Sequence, residues 1–176
     1  PARSILIALL DALGPIWPNQ RHLGGRALGD VWPHPMASGA GLVPFHKLSQ
    51  WLAYSLIEPL QRLGLEITDL DALTGLAEYR NGGLFLDTGV IALRDPSVAE
   101  TPQDPGGPLV VEWRALTVCL LDRVAAGVRA ELRLDADALP LAAVLEGGTW
   151  AAGRRLAALK RGGRPPIAIR SDGSVF

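Results

Sequence analysis

The side chains in this sequence that could do chemistry are a few carboxylates and arginines, with tryptophans and glycines set among them. Arg80 follows Leu73 by one heptad, so on an ideal helix it projects within about 20° of that apolar residue. A guanidinium so placed must pair with a carboxylate or reach an anionic ligand. Glu78 is close in sequence, but at i, i+2 on a helix the two do not share a face. Glu112 precedes Trp113 and lies about 40° from Leu116 on the helical wheel, at the edge of an apolar stripe. It serves either a helix dipole or a site. Asp87 opens the string Asp87-Thr88-Gly89, where an aspartate is either a turn residue or a carboxylate held at a hairpin tip to act as acid, base or electrostatic stabiliser.

Anion binding has three weaker signals. His46-Lys47 follows Pro44 and opens a helical pattern, either to meet an anion at a helix N-terminus or as a solvated helix start. Gly147-Gly148-Thr149 before Trp150 allows close approach of backbone N–H groups, although glycines before a capped helix are common. Arg154 and Arg155 follow one turn later. Neither a Gly-x-Ser-x-Gly elbow nor a phosphate loop, dinucleotide fingerprint or His-Glu-x-x-His string occurs.

These residues need elements to position them. Ser4 can cap an apolar helix over 5–13 that Gly14-Pro15 stops. No period holds from Ile16 to Pro44, a stretch read as an ordered loop because it carries Trp17 and Trp32. Leucines at 48, 52, 56, 60 and 63 predict a helix over 47–63, kinked or broken in its last turn by Pro59. Thr68 with Asp71 forms a capping-box variant that opens a helix running to Arg80, left through Asn81-Gly82-Gly83. Two short apolar runs around Asp87-Thr88-Gly89 predict a β-hairpin over 83–93. Residues 94–108 form a loop. The clearest helix covers 109–132, with Leu109, Trp113, Leu116, Leu120, Val124 and Val128 on one face. Thr149 can cap a last helix to Lys160, and 167–176 is a second hairpin candidate. The expected class is mainly α with small β-hairpins.

The 176 residues suffice for one compact domain. A hydrophobic fraction of 48% against 20% charged excludes wholesale disorder. Seventeen basic and eighteen acidic side chains leave a net charge of −1, which argues against a nucleic-acid polymer as partner. The longest apolar run, 5–10, is far short of the roughly 20 residues of a bilayer span. One cysteine, Cys119, forbids an intrachain disulfide, and three histidines without ligand spacing make a structural zinc site unexpected. The expectation is a cytoplasmic protein that needs no metal or cofactor.

Longer strings carry a resemblance. Leu28-Gly-Asp-Val-Trp-Pro-His-Pro35, the run from Leu42 to Pro59, and Leu73-Thr-Gly-Leu-Ala-Glu-Tyr-Arg-Asn-Gly-Gly-Leu-Phe-Leu-Asp87 resemble a family from fungi and bacteria long known only as a domain of unknown function. Val111 to Thr117, Leu145 to Arg154 and the closing Ser171 to Phe176 are similar to it as well. Its fungal members act in uracil catabolism, as the fourth protein of the yeast Urc pathway. Members are longer than this chain, so 1–176 reads as a single domain forming the C-terminal part of a longer protein. The resemblance implies a pathway that opens the uracil ring of a nucleotide with a cyclohydrolase-like enzyme and ends in urea. Releasing urea from a ribosylurea-type intermediate requires cutting an N-glycosidic bond.

A more distant likeness points the same way. Lys47-Leu-Ser-Gln50 with Ala53-Tyr-Ser55, followed by Val111-Glu-Trp-Arg-Ala115, resembles the order of motifs in queuosine-salvage nucleotide glycosylases, helical proteins related to DNA glycosylases. Their aspartate precedes the first string by two residues; here that position is Phe45, so Asp87, Glu78 or Glu112 would have to replace it. The resulting expectation is a metal-independent hydrolase of a small nucleotide-derived ribosyl-5-phosphate compound. Asp87, Glu112 and Glu78 are its candidate catalytic carboxylates. Its candidate substrate-binding residues are His46, Lys47, Gln50, Trp51, Arg80, Trp113, Arg114, Trp150 and Arg154. Arg80, Arg114 and Lys47 would hold phosphate or ureide, and Trp51 and Trp113 would wall the pocket. The alternative is a non-catalytic partner or ligand-binding subunit of the cyclohydrolase-like enzyme.

Overall fold

A computed structural model describes residues 1–17 and 21–170. The chain forms two compact units, Pro1–Thr74 and Gly75–Phe176.

In the first unit, helix α1 (Ala2–Leu13) packs on helix α2 (Lys47–Arg62). The buried side chains of Ala2, Ala53 and Leu73 are surrounded by Ile5, Leu9, Tyr54 and Ile57. Helix α1 starts two residues before the expected Ser4 cap: the Ala2 N–H donates to the Thr68 carbonyl at 2.8 Å, so a tertiary bond satisfies the group a cap would serve. The irregular stretch contains two antiparallel strand pairs. Strands β1 (His22–Leu23) and β2 (Arg26–Ala27) pair Leu23 with Arg26 across Gly24 and Gly25. Both glycines have positive φ, as a two-residue type I′ hairpin loop requires. Strands β3 (Val31–Pro33) and β4 (Leu42–Pro44) pair Trp32 with Val43. Pro59 lies inside α2, which continues to Arg62, because one missing N–H so near the end removes a single bond.

In the second unit, helix α3 (Tyr79–Asp87) occupies the sequence in which a hairpin was expected. The capping-box helix of 68–80 is not formed; a short 3₁₀ turn at Leu70–Ala72 is followed by non-helical chain up to α3. Helix wins over strand here because Glu78 caps α3 through the Asn81 N–H and because Gly82 and Gly83 permit close packing. A Cβ on Gly82 would meet Thr117 Oγ1 at 2.7 Å and Trp113 Nε1 at 2.8 Å.

Helix α4 (Pro108–Leu132) is as long as expected but is turned about its axis. It buries Val110, Trp113, Arg114, Thr117, Leu121 and Ala125, while Leu116 is 41% exposed. Helix α5 (Leu141–Val144) runs through a π-helical turn, Leu145–Trp150, into helix α6 (Ala151–Arg161). Thr149 therefore caps nothing; it lies within a continuous helical run. Residues 167–170 lie beside Gln103, whose N–H donates to the Ala168 carbonyl at 2.7 Å. The rest of the expected second hairpin, 171–176, lies outside the described residues. The mainly helical class with small antiparallel strand pairs stands, with the pairs at 22–27 and 31–44.

Candidate functional site

Within the second unit, α3 and α6 meet at Gly153, where a Cβ would lie 2.0 Å from the Arg80 carbonyl oxygen. Only a glycine allows that approach, and it brings Arg154 beside Arg80. The Arg80 guanidinium carbon is 4.4 Å from the Tyr79 ring centre and 5.3 Å from that of Trp150. Arg154 lies 5.4 Å from the same Trp150 ring. The cation–π attraction of each arginine to the indole offsets part of the repulsion between the two charges. Together they line a cavity of about 290 Å³, with Ala157, Ala158, Gly162 and Gly163 as the remaining wall. The two glycines end α6 in left-handed conformations, and their N–H groups return to the Ala158 and Ala157 carbonyls at 3.2 and 3.0 Å. The carbonyls that would otherwise present negative charge to the cavity are thereby engaged.

Trp150 is set in place by the π-helical turn. Its neighbour Thr149 donates its hydroxyl to Asn81 Oδ1 at 2.9 Å, and Asn81 Nδ2 donates to the Leu76 carbonyl at 3.2 Å. Glu78 completes this end of α3. Its Oε1 accepts the Asn81 N–H at 2.5 Å, and its Oε2 lies 3.7 Å from Arg80 Nη1. The i, i+2 objection to this ion pair fails because Glu78 is the N-cap, with extended backbone (φ −127°), and so does not follow helical geometry. The heptad relation of Arg80 to Leu73 likewise fails, since the two are not on one helix.

Asp87 ends α3 rather than tipping a hairpin. Its carboxylate takes a bidentate pair of hydrogen bonds from Arg161, at 2.7 and 2.6 Å, and Lys160 Nζ donates to its carbonyl at 2.7 Å. Glu112 is exposed on α4. Arg114 is fully buried and donates from Nε to the Ala77 carbonyl at 3.4 Å. Trp113 is buried as well, with its indole N–H on the Gly82 carbonyl at 3.1 Å, so it supports α3 from beneath. Of the residues read from sequence in this unit, Arg80 and Arg154 are brought together on the cavity wall, with Trp150 against both guanidiniums and Glu78 beside Arg80.

The remaining four lie in the first unit. His46 precedes α2 in a left-handed conformation, and Lys47 and Gln50 are buried on α2, with Gln50 Oε1 accepting the Thr74 N–H at 3.2 Å. Trp51 is 57% exposed and is not on the wall of the cavity of about 750 Å³ in this unit. The anion at this helix start is the protein's own Asp30. It is 3% exposed, with Oδ2 accepting the Lys47 N–H at 3.0 Å and Oδ1 accepting the Trp32 indole N–H at 2.7 Å. Sequence reasoning did not single Asp30 out. The available signal was its place between Gly29 and Val31 in a tryptophan-bearing stretch without period. Among the described residues no group of three or more His, Cys, Asp or Glu is arranged to hold a metal ion. No helix among them is long and apolar enough to cross a membrane.

A family model described as a protein of unknown function (DUF1688) matches residues 1–176. The chain belongs to the DUF1688 family. Two curated relatives are similar to this DUF1688 chain: the protein urg3 of Schizosaccharomyces pombe, 43% identical over 172 residues, and uracil catabolism protein 4 of Lachancea kluyveri, 41% identical over 200. Each match covers 96% of this chain but 43% and 44% of the relative, so the chain spans less than half the length of the relatives it matches. No solved structure matches it.

Proposed function

We propose that this chain serves uracil catabolism by seating a phosphorylated, ribose-bearing intermediate at Arg80 and Arg154 and promoting hydrolysis of its N-glycosidic bond. The observation that carries the reading is the pair of arginines stacked against Trp150 on one cavity. Two guanidiniums on the wall of one concavity are suited to a phosphate dianion, which accepts several charge-assisted hydrogen bonds at once. The name of the Lachancea relative supports the pathway.

Glu78 is the carboxylate beside Arg80, with Oε2 at 3.7 Å from Nη1. In the proposed step the bond from the ribose C1′ to the ureide nitrogen breaks as positive charge builds at C1′, which the carboxylate stabilises. Water adds to C1′, and its proton passes by way of the carboxylate to the departing nitrogen. The products are the ribose phosphate and a neutral urea. Trp150 and Tyr79 cover part of the Arg80 guanidinium, which lowers its hydration and strengthens its hold on phosphate.

Incubating the chain with ribosylurea 5-phosphate should release urea and ribose 5-phosphate, followed by mass spectrometry. Arg154→Ala should raise KM by about tenfold or more, the effect of losing one charge-assisted hydrogen bond. Glu78→Gln should lower kcat by about 100-fold or more while KM changes little. Wild-type turnover in Glu78→Gln would overturn the assignment of the carboxylate.

A second reading draws on other observations. Trp51, Leu63 and Leu65 are exposed along and just after α2, and Asp87 is engaged in an ion pair inside the unit. A non-catalytic subunit for a cyclohydrolase-like enzyme would present such an apolar face. Product release that appears only when that enzyme is added would favour this reading over the first.

A further inference from the structure

A larger cavity, about 750 Å³, lies entirely within the first unit and has no part in the reaction proposed above. Its size falls in the range of about 300–1,000 Å³ that small-molecule sites occupy. Leu10, Val31, Leu42 and Pro44 make its walls apolar, and the Trp17 indole supplies an aromatic surface. Among the residues lining it, the ionisable side chains are Asp11, Arg26 and His46. Asp11 and Arg26 pair with each other at 3.4 Å, and both are mostly in solvent, so they offset one another and give a charged ligand little to hold.

His46 sits differently. It has a φ of 51° although it is not glycine, a conformation that histidine adopts more readily than most residues but that still costs strain. Asp30 holds it there. The Asp30 carbonyl accepts the Phe45 and His46 N–H groups at 3.0 and 3.3 Å, while its buried carboxylate fixes the Lys47 N–H and the Trp32 indole. A buried carboxylate and four hydrogen bonds thus set one imidazole-bearing residue, in a strained backbone, on the wall of a mainly apolar cavity.

We infer that this cavity binds an uncharged planar heterocycle of the pyrimidine-base class, with Trp17 offering it an aromatic face and the His46 imidazole hydrogen-bonding its ring carbonyl or N–H groups. Asp30 is the positioning residue that keeps His46 on the wall. A mainly apolar site whose Asp11 and Arg26 charges offset one another disfavours a phosphate, whose desolvation it would offset poorly. This site and the arginine cavity therefore take different ligands.

The test uses the whole 176-residue chain, isotopically labelled, with the indole N–H signals of Trp17 and Trp150 assigned through Trp17→Phe and Trp150→Phe. Titrating uracil should shift the Trp17 signal saturably and leave the Trp150 signal in place; ribose 5-phosphate should do the reverse. His46→Gly relieves the left-handed strain and so should fold at least as stably, yet it should bind uracil about tenfold or more weakly. The inference fails if uracil leaves Trp17 unmoved in a folded wild-type chain, if it shifts Trp150 instead, or if His46→Gly binds uracil as well as the wild type does. None of these results depends on whether ribose 5-phosphate perturbs Trp150, so the failure of either proposal is visible on its own.

Discussion

Gly153 and Asp87 are the two residues through which α6 takes hold of α3, and each makes a prediction at its own scale. Replacing Gly153 by alanine places a methyl group 2.0 Å from the Arg80 carbonyl oxygen, so the backbone of one helix must shift. Overpacking against backbone should cost about 3 kcal/mol, read as a lower urea midpoint with an unchanged slope. Asp87→Asn leaves Arg161 without its carboxylate at a site where the aspartate side chain is 5% exposed and the arginine 23%. Because that pair is partly wet, the loss should be about 2 kcal/mol rather than the larger penalty of a fully buried pair. A midpoint unchanged in Asp87→Asn would mean that the bidentate bridge contributes nothing to the fold. Asp95 gives a smaller prediction. The Ser97 hydroxyl and N–H hold its carboxyl below the ordinary aspartate range. With the folded value depressed, its contribution to stability is present above the unfolded value and lost as pH falls through the folded one. In carboxyl-detected NMR, Asp95 should titrate at lower pH than it does in Ser97→Ala.

Among the elements, the long helices were legible in the sequence because their leucines repeat at three and four residues. Helix α3 was not. Its Leu84-Phe85-Leu86 run between glycines has the composition of a short strand, and the features that make it helical are a glutamate cap and two glycines pressed against Trp113, Thr117 and Pro166. Only tertiary packing distinguishes those glycines from turn residues. The rotation of α4 was hidden for a related reason: hydrophobicity ranks Leu116 above Arg114 and Thr117, whereas the fold buries the latter two because it satisfies their polar atoms. Of the site, Arg80 was readable as a residue that needed a partner, and Trp150 and Arg154 only as neighbours of a weak anion-binding string; that Arg80 and Arg154 share one cavity was not readable, since it depends on the close approach at Gly153. The π-helical turn holds one residue more than an α-helical turn. Deleting Gly148, which is exposed and where an added Cβ would meet nothing within 4 Å, should convert it to α-helix and rotate Trp150 by about 100° relative to α5. The chain should stay helical by circular dichroism while losing the perturbation of Trp150 by ribose 5-phosphate.

At the scale of the whole molecule, surface and charge decide how the chain behaves in solution. A net charge of −1 gives little mutual repulsion, and Trp51, Met36 and Leu63 stand largely in solvent. Trp51→Gln should leave the fold intact and reduce concentration-dependent association in sedimentation experiments at neutral pH. Loss of folding in that variant would show instead that the exposed indole serves the fold of its own unit. One further consequence lies in how α6 grips α3 at both ends, by backbone contact at Gly153 and by the bridge to Asp87. Jaws fastened twice have no hinge, so a ligand entering between Arg80 and Arg154 meets a surface already in its final shape. Stopped-flow binding of ribose 5-phosphate should then be a single exponential whose rate climbs linearly with concentration, without the plateau that a closing step would impose.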